Sequence, residues 1–164
     1  MDRRDFIKVS GITGGGFLMN LSLPINHLLG NNLGTLAPNA LLKIEKSGVV
    51  TFQLTKLEMG QGISTGITMI LADELGVAWK HIKTEQADYD RSKFNGAIQG
   101  GTGGSWAIRD LWNPLRKAAA TARTMLIQAA ANQWKVNPKD CYTQNSQVIH
   151  RLTNKKIDFA KGRE

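Results

Sequence analysis

The stretch VVTFQLTKLEMGQGISTGITMILADELG, Val49 to Gly76, decides the fold. Its opening, Val49-Val50-Thr51-Phe52-Gln53-Leu54, is rich in β-branched and aromatic residues and reads as a strand. The strand runs into Glu58-Met59-Gly60-Gln61-Gly62, a glycine-flanked loop. Ser64 or Thr65 is then placed to cap a helix that continues to about Leu75. Ile67, Ile70, Leu71 and Leu75 share one helical face, so that face buries against the sheet. Gly76 is the stop signal. A strand, a glycine loop and an amphipathic helix in this order point to an α+β unit.

Working outward, Leu42 and Ile44 precede the turn signal Lys46-Ser47-Gly48, which predicts a β-hairpin with the strand already placed. Ile82 to Ala87 supplies a third strand. Asp88 to Gly104 is a long polar connection ending in Gly100-Gly101-Thr102-Gly103-Gly104-Ser105. A connection of that length in a compact domain is more often functional than filler. A long helical region follows, with Ile108, Leu111, Trp112, Leu115, Ala119, Ala122, Met125, Leu126, Ala129 and Ala130 at three- and four-residue steps. Pro114 lies inside it, so either Asn113 caps a new helix or the helix kinks there. The helix should stop near Trp134, before Asn137-Pro138. Two short strands, about Tyr142 to His150 and Lys155 to Phe159, close the segment as a hairpin.

With 164 residues, 41% of them hydrophobic, the chain can bury a core without disulfides and reads as one domain. No stretch approaches the roughly 18 uninterrupted apolar residues of a membrane span. Cys141 is the single cysteine and reads as a half-buried small hydrophobe. His27, His81 and His150 are scattered, without metal-ligand spacing, and read as surface residues; no catalytic or metal-binding group is assigned. Glu74 falls near the helix end and reads as solvated, while Glu58 is placed to accept loop amides and shape the turn. Trp79, Trp106, Trp112 and Trp134 invite base stacking, but three lie on or beside the apolar face of the long helix, which favours core packing.

The net charge of +8 is uneven. Residues 1–36 hold three basic and two acidic side chains, 37–104 seven of each, and 105–164 eleven basic against four acidic. A basic half suits nucleic acid, an acidic partner or an anionic cofactor. A non-catalytic basic interaction module is therefore the alternative to a cofactor-binding reading.

The chain opens Met1-Asp2-Arg3-Arg4-Asp5-Phe6-Ile7-Lys8, followed by a weakly apolar stretch from Val9 to Ile25. This layout matches a twin-arginine export signal, so residues 1–36 read as signal and linker and the protein as periplasmic, its signal cleaved or retained as an anchor. Twin-arginine export carries folded cargo, often with its cofactor already inserted.

Gly60-Gln61-Gly62 and the later loop, Gly100 to Ser105, each precede a helix. Glycine admits close backbone approach, and a helix head offers unpaired N–H donors. Such loops suit phosphate or pyrophosphate, yet neither is a P-loop, and tight packing alone also explains them.

At Leu54 to Gly62, Ser64-Thr65 and Ala72-Asp73-Glu74-Leu75-Gly76-Val77, the sequence resembles the molybdopterin-binding large subunit of the xanthine dehydrogenase/aldehyde oxidase family, in its isoquinoline 1-oxidoreductase β-subunit branch. The likeness continues through Gln99, Thr102-Gly103-Gly104-Ser105, Arg109, Trp112, Pro114-Leu115-Arg116, Ala122-Arg123, Trp134-Lys135-Val136, Cys141, Val148-Ile149-His150 and Lys156-Ile157.

The resemblance implies that Gly60, Gln61 and Gly62 hydrogen-bond the pterin, and that Thr102, Gly103, Gly104 and Ser105 receive its phosphate or cytosine dinucleotide end. It implies a molybdenum-loaded cofactor that hydroxylates an aromatic N-heterocycle or an aldehyde with water-derived oxygen. Electrons then pass to a small partner subunit with [2Fe–2S] clusters, and no nucleic acid is expected. Family large subunits are several times longer, and their catalytic glutamate lies far downstream, with no counterpart here. Residues 37–164 are therefore expected to be the N-terminal portion of a molybdopterin-binding domain, inactive without the remaining domains.

Overall fold

The computed structural model describes residues 16–17, 41–45, 47–89 and 101–160. Apart from Gly16 and Phe17, the proposed export signal and linker lie outside the described residues, as do residues 90–100 of the long connection.

A four-stranded sheet has the order β1 (Gly16–Phe17), β2 (Leu42–Glu45), β3 (Val50–Leu54), β4 (Ile82–Gln86). The first two pairings are antiparallel, with Leu42 opposite Phe52, and β3 pairs parallel with β4, Val50 opposite Ile82. Helix α1 (Ile63–Leu75) makes the crossover between the two parallel strands. The order is the one expected from Val49 to Gly76, and the architecture is α+β. Central β3 is buried except at Gln53, so its apolar run does not alternate. Thr51 is buried there and its hydroxyl donates to Glu45 Oε1 at 3.3 Å.

Helix α2 (Ala107–Trp134) is continuous through Pro114, so Asn113 does not cap a new helix. Leu111, Leu115, Ala119 and Ala122 are buried on one face. That face packs against α1, and its residues join Ile67, Leu71 and Leu75 of α1 and Val50, Phe52 and Leu54 of β3 in one core cluster. Alanine at 119 and 122 leaves room for the helices to approach closely.

The last segment differs from expectation. The single strand expected from Tyr142 to His150 is two, β5 (Cys141–Gln144) and β6 (Gln147–His150), folded over Asn145-Ser146. Both turn residues have positive φ, 51° and 64°, the conformation of a tight two-residue hairpin. With β7 (Lys156–Asp158) they form a second, antiparallel sheet. Ser146 ties this sheet to the first half of the chain. Its N–H donates to Gly76 O at 2.9 Å, and its hydroxyl accepts from Ala78 N at 3.0 Å. His81 Nδ1 lies 2.9 Å from the same hydroxyl.

Three side-chain expectations are corrected. Of the three tryptophans expected in the core along the long helix, Trp106 and Trp112 are exposed and only Trp134 packs against the cluster; Trp79, outside that helix, is exposed too. His150 is buried beside Trp134 and pairs with Thr153 at 2.7 Å, so it is not a surface histidine. Glu74 is not solvated: its side chain is 11% exposed and is gripped by Arg116 and Arg123. Cys141 packs as a small hydrophobe, as expected, but is buried rather than half-buried, and burial, reinforced by the Asp140 charge, pushes its thiol pKa up.

Candidate functional site

The two helices run side by side in the same direction. Near the head of α1, Gly66 faces Ile108 near the head of α2; near its tail, Glu74 Oε2 accepts from Arg116 Nε at 2.9 Å. Both contacts span an offset of 42 residues, 66 to 108 and 74 to 116, which defines a parallel pair. Arg123 completes the tail, with Nη2 2.9 Å from Glu74 Oε1 and Nη1 donating to Glu74 O at 2.7 Å. Parallel packing brings both helix heads, and the glycine loop before each, to one end of the molecule.

There the loops are joined. Leu57 N donates to Thr102 Oγ1 at 2.9 Å, and Thr102 Oγ1 donates back to Leu57 O at 2.9 Å. One hydroxyl thus closes a two-point clasp across 45 residues of chain. Sequence spacing placed each loop before a helix; only tertiary structure pairs them.

The first loop is organised from within. Glu58 Oε1 accepts from Gly60 N and Gly62 N, each at 2.9 Å. Its other oxygen accepts from Ser64 N at 2.9 Å and Ser64 Oγ at 2.8 Å. Bonds to Ser64 and Gly62 hold the carboxyl pKa down at about 2, well below the ordinary carboxylate value. The expectation that Glu58 shapes this turn holds. The capping expectation does not: Gly62, in the left-handed region at φ 78°, occupies the cap position, and Ser64 turns back to Glu58. Gln61 folds over the same loop, its Oε1 accepting from Met59 N at 2.6 Å and its Nε2 donating to Leu57 O at 3.0 Å.

In the second loop, Gly104 (φ 54°) and Ser105 (φ 57°) are both left-handed, and Trp106 N donates to Gly103 O at 3.2 Å. A Cβ at 104 would collide with the Trp106 indole, so glycine is required there. By contrast, a Cβ at Gly60, Gly62, Gly101 or Gly103 would meet nothing within 4 Å. These four positions leave bare backbone facing open space, the condition a flat, hydrogen-bonding ligand needs for close approach.

Two basic features complete the surroundings. Lys56, at the foot of the first loop, is buried; burial lowers its pKa, and the Asp110 carboxylate opposes the shift. Sequence reasoning missed it, because nothing in the spacing marks a lysine for burial. Arg109 lies 5.9 Å over the exposed Trp106 ring and 3.6 Å from Asp110. Arg116 and Arg123, which the charge pattern had offered to an anionic ligand, instead bind Glu74. Among the described residues no group of three or more His, Cys, Asp or Glu side chains could hold a metal, and no helix is long and apolar enough to cross a membrane.

The chain matches the molybdopterin cofactor-binding domain over residues 11–162. The isoquinoline 1-oxidoreductase subunit beta of Brevundimonas diminuta is 27% identical over 133 residues, which is 79% of this chain and 17% of that protein. The membrane-bound aldehyde dehydrogenase [pyrroloquinoline-quinone] of Gluconacetobacter polyoxogenes is 28% identical over 167 residues, 97% of this chain and 20% of that protein. Quinoline 2-oxidoreductase from Pseudomonas putida 86 shares the fold, with a TM-score of 0.58 at 22% identity over 73% of this chain and 15% of its own. The chain thus spans a fifth or less of the length of these relatives.

Proposed function

The chain belongs to the molybdopterin cofactor-binding domain family, and on that premise we propose that it supplies two cofactor-binding loops to the large subunit of a molybdenum hydroxylase. The observation that carries this reading is the clasp between Thr102 and Leu57, which presents the bare backbone of Gly60, Gly62, Gly101 and Gly103 at one end of a parallel helix pair. Open space at four glycines, with a carboxamide at Gln61 between two of them, fits a planar ligand edged with donors and acceptors.

In this reading Gly60, Gln61 and Gly62 face the pterin. Gln61 contributes its side-chain amide, and the two glycines contribute closeness rather than N–H donors, because Glu58 holds their amides. Thr102, Gly103, Gly104 and Ser105 take the phosphate or cytosine dinucleotide end, with Arg109 on the adjoining turn. Thr102 also sets the separation of the loops. Bound, the cofactor supplies the two-electron chemistry that hydroxylates an N-heterocycle or aldehyde carbon with oxygen from water. This chain contributes binding and orientation; the proton-transferring glutamate and the rest of the pocket come from other domains, and the lone chain is inactive. A small [2Fe–2S] subunit takes the electrons. The Arg3-Arg4 start supports twin-arginine export of the folded, loaded protein to the periplasm.

Molybdenum and pterin content tests the reading. Purified with the remaining domains and the iron–sulfur subunit, the protein should release a fluorescent pterin and stoichiometric molybdenum on denaturation, and Gln61→Ala should lower both. Release of a quinone cofactor in place of pterin, or unchanged content in the variant, would count against it. Nucleic-acid binding with a steep salt dependence would favour the basic interaction module.

A further inference from the structure

We propose that Glu58 is a positioning residue that decides which part of an anionic cofactor the first loop can face: its carboxylate fills the donors at the head of α1, so the loop presents the uncharged Gln61 edge and turns a phosphate away. The identity of the cofactor rests on the reading above; the exclusion of phosphate does not.

Four donors converge on this one carboxylate: Gly60 N, Gly62 N, Ser64 N and Ser64 Oγ, all at 2.8–2.9 Å. A helix head with glycine-loop amides is ordinarily a place for an external anion. Here the anion is internal, on the same loop and only two to six residues from its donors. A phosphate arriving at the same place would have to displace a carboxylate that already holds these four donors, or sit beside it as a like charge. The side chain at the loop rim is that of Gln61, which is neutral and already bent over Met59 N and Leu57 O. The first loop is thereby shaped for a neutral, amide-like edge. The phosphate-bearing end of the cofactor is directed to the other side of the Thr102 clasp, where Gly101 and Gly103 are open.

Glu58 is also the reason the loop keeps its shape without a ligand. Exchange for glutamine replaces one carboxylate oxygen by an NH2 group, which faces donors with a donor and loses at least one of the two bonded pairs. The effect is local, since the side chain is exposed and its bonds lie within the loop and the first turn of α1.

The test uses the full chain, labelled with nitrogen-15, and follows the amide signals of Gly60, Gly62 and Ser64. Inorganic phosphate at neutral pH should leave all three unmoved. Lowering the pH should leave them unchanged through the ordinary carboxylate range near pH 4 and shift them together only as the pH falls through about 2. The depressed folded-state pKa means that the contribution of Glu58 is fully present above the unfolded value and is lost on approach to the folded one. Glu58→Gln should displace the three signals at neutral pH, abolish their acid transition and leave the melting temperature within a few degrees. Phosphate-dependent shifts in the wild-type loop, an acid transition near pH 4, or Glu58→Gln signals that overlay the wild type would each overturn the proposal. None of these readouts involves the cofactor, so a failure here is separate from a failure of the pterin and molybdenum measurement.

Discussion

Replacing Glu74 should loosen the seam that holds the two loop-bearing helices side by side. Its carboxylate is 11% exposed and accepts from Arg116 Nε and Arg123 Nη2, each at 2.9 Å. A hydrogen bond to a charged group contributes about 1.5–3 kcal/mol. The two arginine side chains are 49% and 37% exposed, so each recovers much of its hydration when the pair is broken, which brings each contact below that range, to about 1 kcal/mol. Glu74→Ala should therefore destabilise the chain by about 2 kcal/mol, and Glu74→Gln, which keeps one acceptor, by about 1 kcal/mol. For a chain of this size the alanine variant corresponds to a melting temperature lower by roughly 4–8 °C. Arg123 keeps its bond to Glu74 O in either variant, which holds it near its native place. Urea unfolding followed by the tryptophan signal measures the effect, and a double-mutant cycle with Arg123→Ala should return a coupling of about 1 kcal/mol. An alanine variant as stable as wild type, or a coupling indistinguishable from zero, would show that the seam is held by the apolar face of α2 alone. The consequence reaches the site: if the tail of the helix pair slips, the clasp between Leu57 and Thr102 at its head should show faster amide exchange at Leu57.

Two further outcomes are expected. Gly76 ends α1 in the left-handed region at φ 76°, and a Cβ there would lie 2.7 Å from Thr143 Oγ1 and 2.9 Å from Thr143 O, so Gly76→Ala should cost about 3 kcal/mol by thermal or urea unfolding. The buried Cys141 thiol, with its pKa raised by burial, should resist Ellman's reagent in the folded chain and react fully once urea is added; rapid labelling under native conditions would contradict its placement.

Features that depend on short spacings were legible. The turn through Ser47-Gly48, the strand from Val50, the buried face through Ile67, Leu71 and Leu75 and the stop at Gly76 follow from local periodicity and backbone preference. Glu58 belongs to the same class, because its donors lie within six residues. The helix cap, expected at Ser64 or Thr65, falls two or three residues earlier at Gly62, and Ser64, inside the first turn, bonds to Glu58. The hairpin at Asn145-Ser146 was hidden because Tyr142 to His150 has no glycine or proline to mark a turn, and the positive φ there falls on Asn and Ser instead.

What the sequence determined by itself is the set of parts: two glycine loops, each opening a helix, and the apolar faces that must be covered. Tertiary structure alone decided their arrangement. Periodicity says which side of a helix is apolar but not which helix it meets, nor in which direction. The parallel docking of α1 on α2, the grip of Arg116 and Arg123 on Glu74, and the exposure of Trp106 and Trp112 all follow from that one pairing. So does the site, because a hydroxyl at Thr102 finds the backbone of Leu57, 45 residues away, only when the two helix heads are packed at the same end.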